Sequence, residues 1–426
     1  MNIFLDSTLI VFKNRTAIEG IRTGQPSFFL SSPNRVVLFE EPTLFLDSEF
    51  VRRGNTPSIN TWSAASDALQ SWFQWLQAIR KDWSVAVRLD RIEYRDAFLT
   101  AISPRTGQPY ETSTVSKRMQ VILQFYLFAM AQGWYEGDLA QPGIENQKVR
   151  SASFDPFPID SNGAGRQKKW KDRDLPKTRK KEIIHPFQIS ELQAFLHLCG
   201  PRSSEREGDP RPARDRLLVD LGWAVGLRVE EISSLSTLQF LCLHPDPRAP
   251  QIDHSLVIMG KGKKLRTVAV PGWLVEDAIS YIYGERAESL RIGKISSKAA
   301  SNALFLAGAK SSRSGTPICK RRLQQVVEEC CRRIGAVKTV EFIDPDTRAT
   351  GQRVRHKHSI HDLRHTYAVL TYHAESANGN SEPWKKIQAQ LGHEHMKTTI
   401  DTYLHHVEIF GQRQRFYDVR KMIGIR

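Results

Sequence analysis

At 426 residues the chain is too long for one ordinary domain and long enough for two or three, each with its own buried core. Its 61 Lys and Arg against 46 Asp and Glu leave a formal charge of +15 and call for a polyanionic partner; no stretch reaches the roughly 18 uninterrupted apolar residues of a spanning helix, which sets membrane insertion aside. Five cysteines (Cys199, Cys242, Cys319, Cys330, Cys331), odd in number and without C-x-x-C spacing, are expected as reduced thiols of a cytoplasmic protein, which excludes a disulfide scaffold.

The opening "MNIFLDSTLIVFKNR" has neither a basic leader nor a small-residue cleavage pattern, and Asp6 interrupts its apolar run, so no signal peptide is expected. Residues 1 to 58 carry short β-type runs, "FFL" and "VVLF", around the turn-prone "SSPNR", and form an N-terminal extension to which no chemistry is assigned. At Trp62 the period changes. Trp62, Ala65, Leu69, Trp72, Phe73 and Leu76 fall on one helical face, and a second face runs through Val115, Met119, Ile122, Tyr126 and Ala129 behind the capping cluster "TSTVS". Residues 59 to 150 read as a small helical domain, with Lys117 and Arg118 as candidates for phosphate contact.

Residues 151 to 184 read as a basic interdomain linker. Turn formers give way to nine basic and two acidic residues between Arg166 and Lys181, and Lys168, Lys169, Lys177, Arg179 and Lys180 are expected to touch phosphates. A fresh amphipathic helix begins near residue 187, and helical patterns dominate from there. One hairpin interrupts them: "SLVIM" and "LRTVAV" flank "GKGKK", whose glycines allow a tight turn that lifts Lys261, Lys263 and Lys264 to its tip. A long basic insertion, residues 343 to 358, reads as a loop.

Four segments carry possible chemistry. In "LGWAVGLRVEEISSL" Arg228 interrupts an apolar helical stretch, and Glu231, three residues on, is its natural partner, either as a structural pair or as the group that aims the guanidinium at a phosphate. In "HDLRHTYAVL" His361 and Arg364 share a helix face; His361 and His365, at i and i+4, also resemble half of a zinc pattern, against which stand Arg364 in its middle and the lack of a third ligand. Trp384, Ile387 and Leu391 then share a face of a helix that Gly392 ends, which leaves His393 on a turn. The next helix presents Tyr403, with Ile400, Leu404 and Val407 at core spacing, so burial alone would also explain the tyrosine.

Two arginines, a lysine on a flexible hairpin, two histidines and a tyrosine suit phosphoryl transfer to a tyrosine hydroxyl. The guanidiniums would hold the non-bridging oxygens as charge develops, the lysine would protonate the leaving 5′ oxygen, and a histidine would bind the phosphate or take the phenolic proton.

The order of "GLRVEEISSL", "GKGKKLRTVAVP", "HDLRHTYA" and "LGHEHMKTTIDTYLHH" resembles the tyrosine recombinase (phage integrase) family, strongly over residues 185 to 410 and more loosely over 59 to 150. The resemblance implies a mainly α fold with small β hairpins: a two-domain DNA clamp in which a helical core-binding (SAM-like) domain precedes a mixed α/β catalytic domain. It carries over Arg228, Lys261, His361, Arg364, His393 and Tyr403 as active-site residues, with Glu231 supporting them. His393 to Tyr403 is one residue longer than the commonest family spacing. It further implies double-stranded DNA recombination sites as partners, a homotetramer on DNA from free monomers or dimers, a 3′-phosphotyrosine and a Holliday junction, no metal or other cofactor, and a bacterial cytoplasmic setting. The size of the chain favours an integrase or transposase of a mobile element, and residues 411 to 426 read as a tail able to dock on a neighbour. A type IB topoisomerase would share the chemistry without pairing two duplexes, and a non-catalytic basic DNA-binding protein would share only the charge.

Overall fold

The structure is a computed structural model and describes residues 3–16, 20–53, 58–139, 172–177, 184–260, 262, 264–296 and 298–411. It divides into two compact units, Met1–Lys181 with Glu341–Gln352, and Glu182–Val340 with Arg353–Arg426. Among the described residues the fold is mainly helical, with one three-stranded sheet and two two-stranded ladders. No described helix is long and apolar enough to cross a membrane.

The first unit opens with β1 (Thr8–Lys13), β2 (Pro26–Ser32) and β3 (Arg35–Phe39), an antiparallel sheet in that order, followed by α1 (Glu40–Leu46), α2 (Ile59–Ala78), α3 (Arg88–Thr100) and α4 (Thr112–Ala131). Strand side chains alternate between faces, so Leu9, Phe28, Leu30 and Phe39 point to one side and need a cover. Helix α2 supplies it. Its expected face, Trp62 through Leu76, is buried in one core with Phe4, these strand residues and Val115, Met119, Ile122, Tyr126 and Ala129 of α4. The segment expected as an N-terminal extension therefore shares the core of the helices that follow it. Trp72 Nε1 donates to Tyr126 Oη at 3.1 Å, and that hydroxyl donates to the Trp83 carbonyl at 2.8 Å, so the polar edges of these two rings are satisfied.

The described part of the linker is held by its acids. Arg91, 1% exposed, forks onto Asp172 at 2.7 and 3.1 Å and reaches Asp174 at 2.8 Å, while Arg88 forks onto Asp174 at 2.9 and 2.7 Å. The Asp174 carboxyl lies below its usual range because hydrogen bonds from Arg88 and then Arg91 outweigh burial. Lys177 is exposed. Lys168, Lys169, Arg179 and Lys180 lie outside the described residues. Of the two candidates on α4, Lys117 is exposed, whereas Arg118 lies over the rings of Phe98 and Tyr110, 4.9 and 4.7 Å from their centroids, and donates to Ser71 Oγ.

The second unit runs α5 (Ile189–Cys199), α6 (Ala213–Ala224), α7 (Val229–Ser233), α8 (Thr237–Leu241), β4 (Asp253–Met259), β5 (Leu265–Pro271), α9 (Gly272–Tyr281), α10 (Ala287–Ile292), α11 (Lys320–Arg333), the start of β6 (Val337–Ile343) and the end of β7 (Thr350–His356), whose remaining residues belong to the first unit, then α12 (Ile360–Ala377), α13 (Pro383–Leu391) and α14 (Met396–Gly411). The lysine hairpin forms as its alternation requires: β4 and β5 pair antiparallel, with Leu256, Ile258, Val268 and Val270 turned into a core shared with α6, α9 and α12. A smaller cluster, Tyr367, Ala368, Val369, Ile387, Leu391 and Tyr403, ties α12, α13 and α14 together.

The stretch 343–358, expected as an inserted loop, is instead the turn and second strand of the β6–β7 ladder. Asp344 Oδ1 accepts the amides of Asp346 and Thr347 and so closes the turn. Its strands escaped sequence reading because β7 buries almost nothing and shows no apolar alternation. All five cysteines are thiols, and Cys199 Sγ lies 3.7 Å from Cys330 Sγ.

Candidate active site

The site begins where α6 stops. Gly226 takes φ +75°, a region open to glycine, and the chain re-enters a helix at α7 with Arg228 as its N-cap in extended backbone. Arg228 was expected inside a helix; it caps one, because Glu231 at the third helical position accepts its main-chain N–H at 2.9 Å and stabilises the break. The same carboxylate accepts Nη1 of Arg228 at 2.9 Å.

From β5, Arg266 forks onto Glu231 at 2.5 and 2.9 Å. Glu231 is only 1% exposed, and a carboxylate so placed is tolerable only when its oxygens are met. Burial pushes its carboxyl up, but the hydrogen bonds from Arg266 and Arg228 outweigh that and hold it below the usual carboxylate range.

Arg364 rises from the second turn of α12, whose start Ser359 and Asp362 cap reciprocally. It is 1% exposed and donates from Nη1 to the Gly226 carbonyl and from Nη2 to the Leu391 carbonyl, both at 2.6 Å. Nη1 also lies 4.0 Å from Glu231 Oε2. Burial, then the neighbouring Arg228, brings its guanidinium down to about 10, so it remains a cation at neutral pH. Arg364 thus pins two loops at once. Gly392 closes α13 at φ +63°, and a Cβ there would sit 2.7 Å from Arg266 Cδ.

His393 follows on that turn, half-buried, with Nε2 3.3 Å from Arg364 Nη2 and Nδ1 2.8 Å from Thr399 Oγ1. A guanidinium has no lone pair to offer, so Nε2 accepts and the proton sits on Nδ1, donated to Thr399. Burial first, then Arg364 and Arg228, push the imidazole down to about 4.

Tyr403, one turn beyond Thr399 on α14, is 1% exposed and packs among Tyr367, Ile387 and Leu391. Its Oη lies 3.1 Å from His365 Nδ1, and its ring stands parallel to that of His393 with centroids 6.4 Å apart. Burial pushes the phenol up to about 12 against the pull of Arg364 and Arg228. The packed tyrosine and the tyrosine beside two cations are therefore the same residue.

The structure brings Arg228, Glu231, Arg364, His393 and Tyr403 together; His361 is exposed one turn before His365, their rings in edge contact at 4.6 Å. Lys261 and Lys263 lie outside the described residues, and Lys264 is exposed with Nζ 3.9 Å from Glu394. Among the described residues no three His, Cys, Asp or Glu side chains converge as metal ligands. Sequence reading missed Arg266, one more basic residue in "KGKKLR", together with Thr399, and noted His365 without giving it a place in the site. It also missed Gln390, whose side chain accepts the Ala269 amide at 2.9 Å and donates to the carbonyls of Ala269 and Val225, tying β5 to the loop before α7. Three guanidiniums around one carboxylate leave a partly buried positive hole beside a phenol, suited to a tetrahedral anion.

Residues 182–408 match the Phage integrase family. The tyrosine recombinase XerC of Mycobacterium bovis (strain BCG / Pasteur 1173P2) is 31% identical over 128 residues, 28% of this chain and 39% of that protein, so the chain spans about two fifths of the first curated relatives it matches. XerC of Lactobacillus delbrueckii subsp. bulgaricus (strain ATCC BAA-365 / Lb-18) is 22% identical over 311 residues, 73% of this chain and 77% of that one. Among solved structures, a XerH site-specific recombinase bound to a palindromic difH substrate, a post-cleavage complex, superposes with a TM-score of 0.50 at 14% identity, covering 83% of this chain and 79% of the other, a likeness of fold.

Proposed function

The chain belongs to the phage integrase family, and from that premise we propose that it cleaves and rejoins duplex DNA, one strand at a time, with Tyr403 as nucleophile. The observation that carries the reading is the convergence of Arg228, Arg364 and His393 on the pocket that holds the Tyr403 phenol.

In this reading a scissile phosphate enters the positive hole. Arg228 and Arg364, their forks oriented by Glu231 and by the two loop carbonyls, bind the non-bridging oxygens and meet the charge that grows in the transition state; losing one such donor costs about 10²- to 10³-fold in rate. His393 exchanges its Arg364 contact for a phosphate oxygen. The phenolic oxygen attacks phosphorus, a 3′-phosphotyrosine forms, and the 5′ oxygen leaves with a proton from Lys261, with Lys263 the alternative donor. The phosphotyrosine keeps the energy of the broken phosphodiester, so rejoining requires no nucleotide.

The full activity we propose is site-specific recombination for a mobile element, as integrase or transposase, by four copies on two duplexes through a Holliday junction. Its supports are the family, the net charge of +15 and a first unit that builds residues 4 to 51 into its core.

The test is covalent trapping. The full chain is first used to select its sequence from a random duplex pool, and a nicked suicide duplex is built on that sequence. Wild type should leave a covalent protein–DNA band on a denaturing gel, and Tyr403→Phe should bind equally and leave none. An adduct formed by Tyr403→Phe would remove the nucleophile assignment. Binding should also weaken steeply with salt as Lys and Arg release counterions, and a flat response would remove the duplex-clamping part of the reading.

A further inference from the structure

We infer that His365 is the base of the cleavage step: its Nδ1 takes the proton of the Tyr403 phenol as the phenolic oxygen attacks phosphorus, and returns it on rejoining. The inference rests on Tyr403 being the nucleophile and goes beyond it, because the phenol's hydrogen-bond partner is His365, which is not among the six residues carried over as the active site.

The geometry separates three imidazoles. His393 stands parallel to the tyrosine ring, and both its nitrogens are engaged elsewhere, Nε2 with Arg364 at 3.3 Å and Nδ1 with Thr399 at 2.8 Å. His361 is exposed and meets the edge of the His365 ring. His365 lies 3.1 Å from the phenolic oxygen, ring centroids 5.5 Å apart, within the range in which a proton passes directly. Two helices fix this distance. His365 follows Arg364 on α12, and Arg364 is anchored to two main-chain carbonyls; Tyr403 is held on α14 by the apolar cluster that joins α12, α13 and α14.

The chemistry requires such a group. Burial keeps the phenol protonated at neutral pH, so an attack without a base would leave the O–H proton on the bridging oxygen. With Nε2 of His365 carrying the ring proton, the Nδ1 lone pair accepts the phenolic hydrogen. The O–H pair becomes the new O–P bond, the P–O5′ bond breaks, and the 5′ oxygen is protonated by the lysine general acid. The imidazolium formed on His365 is the proton reservoir for the reverse step, when the 5′ hydroxyl expels the phenolate.

The experiment uses the full chain and the same nicked suicide duplex, in single turnover. His365→Asn places an amide oxygen where Nδ1 was, so it keeps the hydrogen bond and lacks the basicity; His365→Leu lacks both. Cleavage by His365→Asn should fall about 10²- to 10⁴-fold while DNA binding and thermal unfolding stay near wild type. Placing a fluorinated tyrosine of lower phenol pKa at position 403 should then restore His365→Asn by at least about tenfold more than it speeds wild type, since a more acidic phenol needs less help from a base. Cleavage by His365→Asn within about threefold of wild type, or no selective rescue by the fluorinated phenol, would overturn the base assignment and leave a packing role. An adduct lost in Tyr403→Phe but unchanged in His365→Asn would sink this inference alone. An adduct persisting in Tyr403→Phe would sink the nucleophile reading and this inference with it.

Discussion

Nη2 of Arg364 stands 3.3 Å from Nε2 of His393, a contact that only the neutral imidazole can make. With the folded value near 4 and the ordinary one at 6.5, the unfolded chain binds a proton between those limits that the folded chain refuses. Stability from this group is complete above pH 6.5 and is lost as pH falls toward 4. Thermal midpoints measured from pH 7 to pH 4 should fall, and His393→Gln should flatten part of that slope; His358, His361 and His373, also depressed by burial, contribute to the rest. An anion in the site would reverse the preference. Duplex binding at pH 6 should take up close to one proton, read by calorimetry in buffers of different ionisation enthalpy, and His393→Gln should abolish that uptake.

Arg266 supports the site although it was not among the residues singled out in the hairpin motif. Arg266→Met leaves the buried Glu231 with Arg228 as its remaining close cation and should cost about 2 to 4 kcal/mol in denaturant unfolding. The double variant Arg266→Met with Glu231→Gln should recover much of that loss, since the stranded charge is gone. The double variant should also cleave slowly, because Arg228 loses the carboxylate that orients it.

Gly392→Ala should destabilise by about 1 to 2 kcal/mol from its left-handed backbone alone. It should also slow cleavage, because the new methyl meets Arg266 at 2.7 Å and turns it against Glu231. Stability and trapping yield, measured on the same preparation, should both drop.

In the first unit, Arg91→Ala would strand the buried Asp172 carboxylate, while Asp174 keeps Arg88, and should cost about 3 to 5 kcal/mol, whereas Asp172→Asn should cost less. Limited proteolysis should cut near residue 172 faster in Arg91→Ala than in wild type, because Asp172 and Asp174 hold that segment to α3.

How much of this could be read from the sequence follows from the range of each interaction. The core faces of α2 and α4 are periodic within one helix and are visible in the order of residues. Arg228 with Glu231, and Gly392 ahead of His393, are local patterns, and the fold places them as their spacing suggests. Arg91 with Asp172 joins positions 81 apart, and Arg266 with Glu231 positions 35 apart, with no periodic signal to announce either. Strand β7 was hidden for a different reason: a strand with two polar faces looks like a loop. His365 was seen only beside His361, which its ring does meet, because helical spacing cannot show that Tyr403 of α14 lies against it as well.

Glu231 serves Arg228 from one side and Arg266 from the other, and neither guanidinium can be exchanged without leaving that carboxylate in deficit. A lineage that lost the carboxylate would carry two crowded cations, and one that lost a cation would carry a buried, half-met anion. A change at one of these positions is therefore best offset by a change at another, which makes Arg266 part of the site's support.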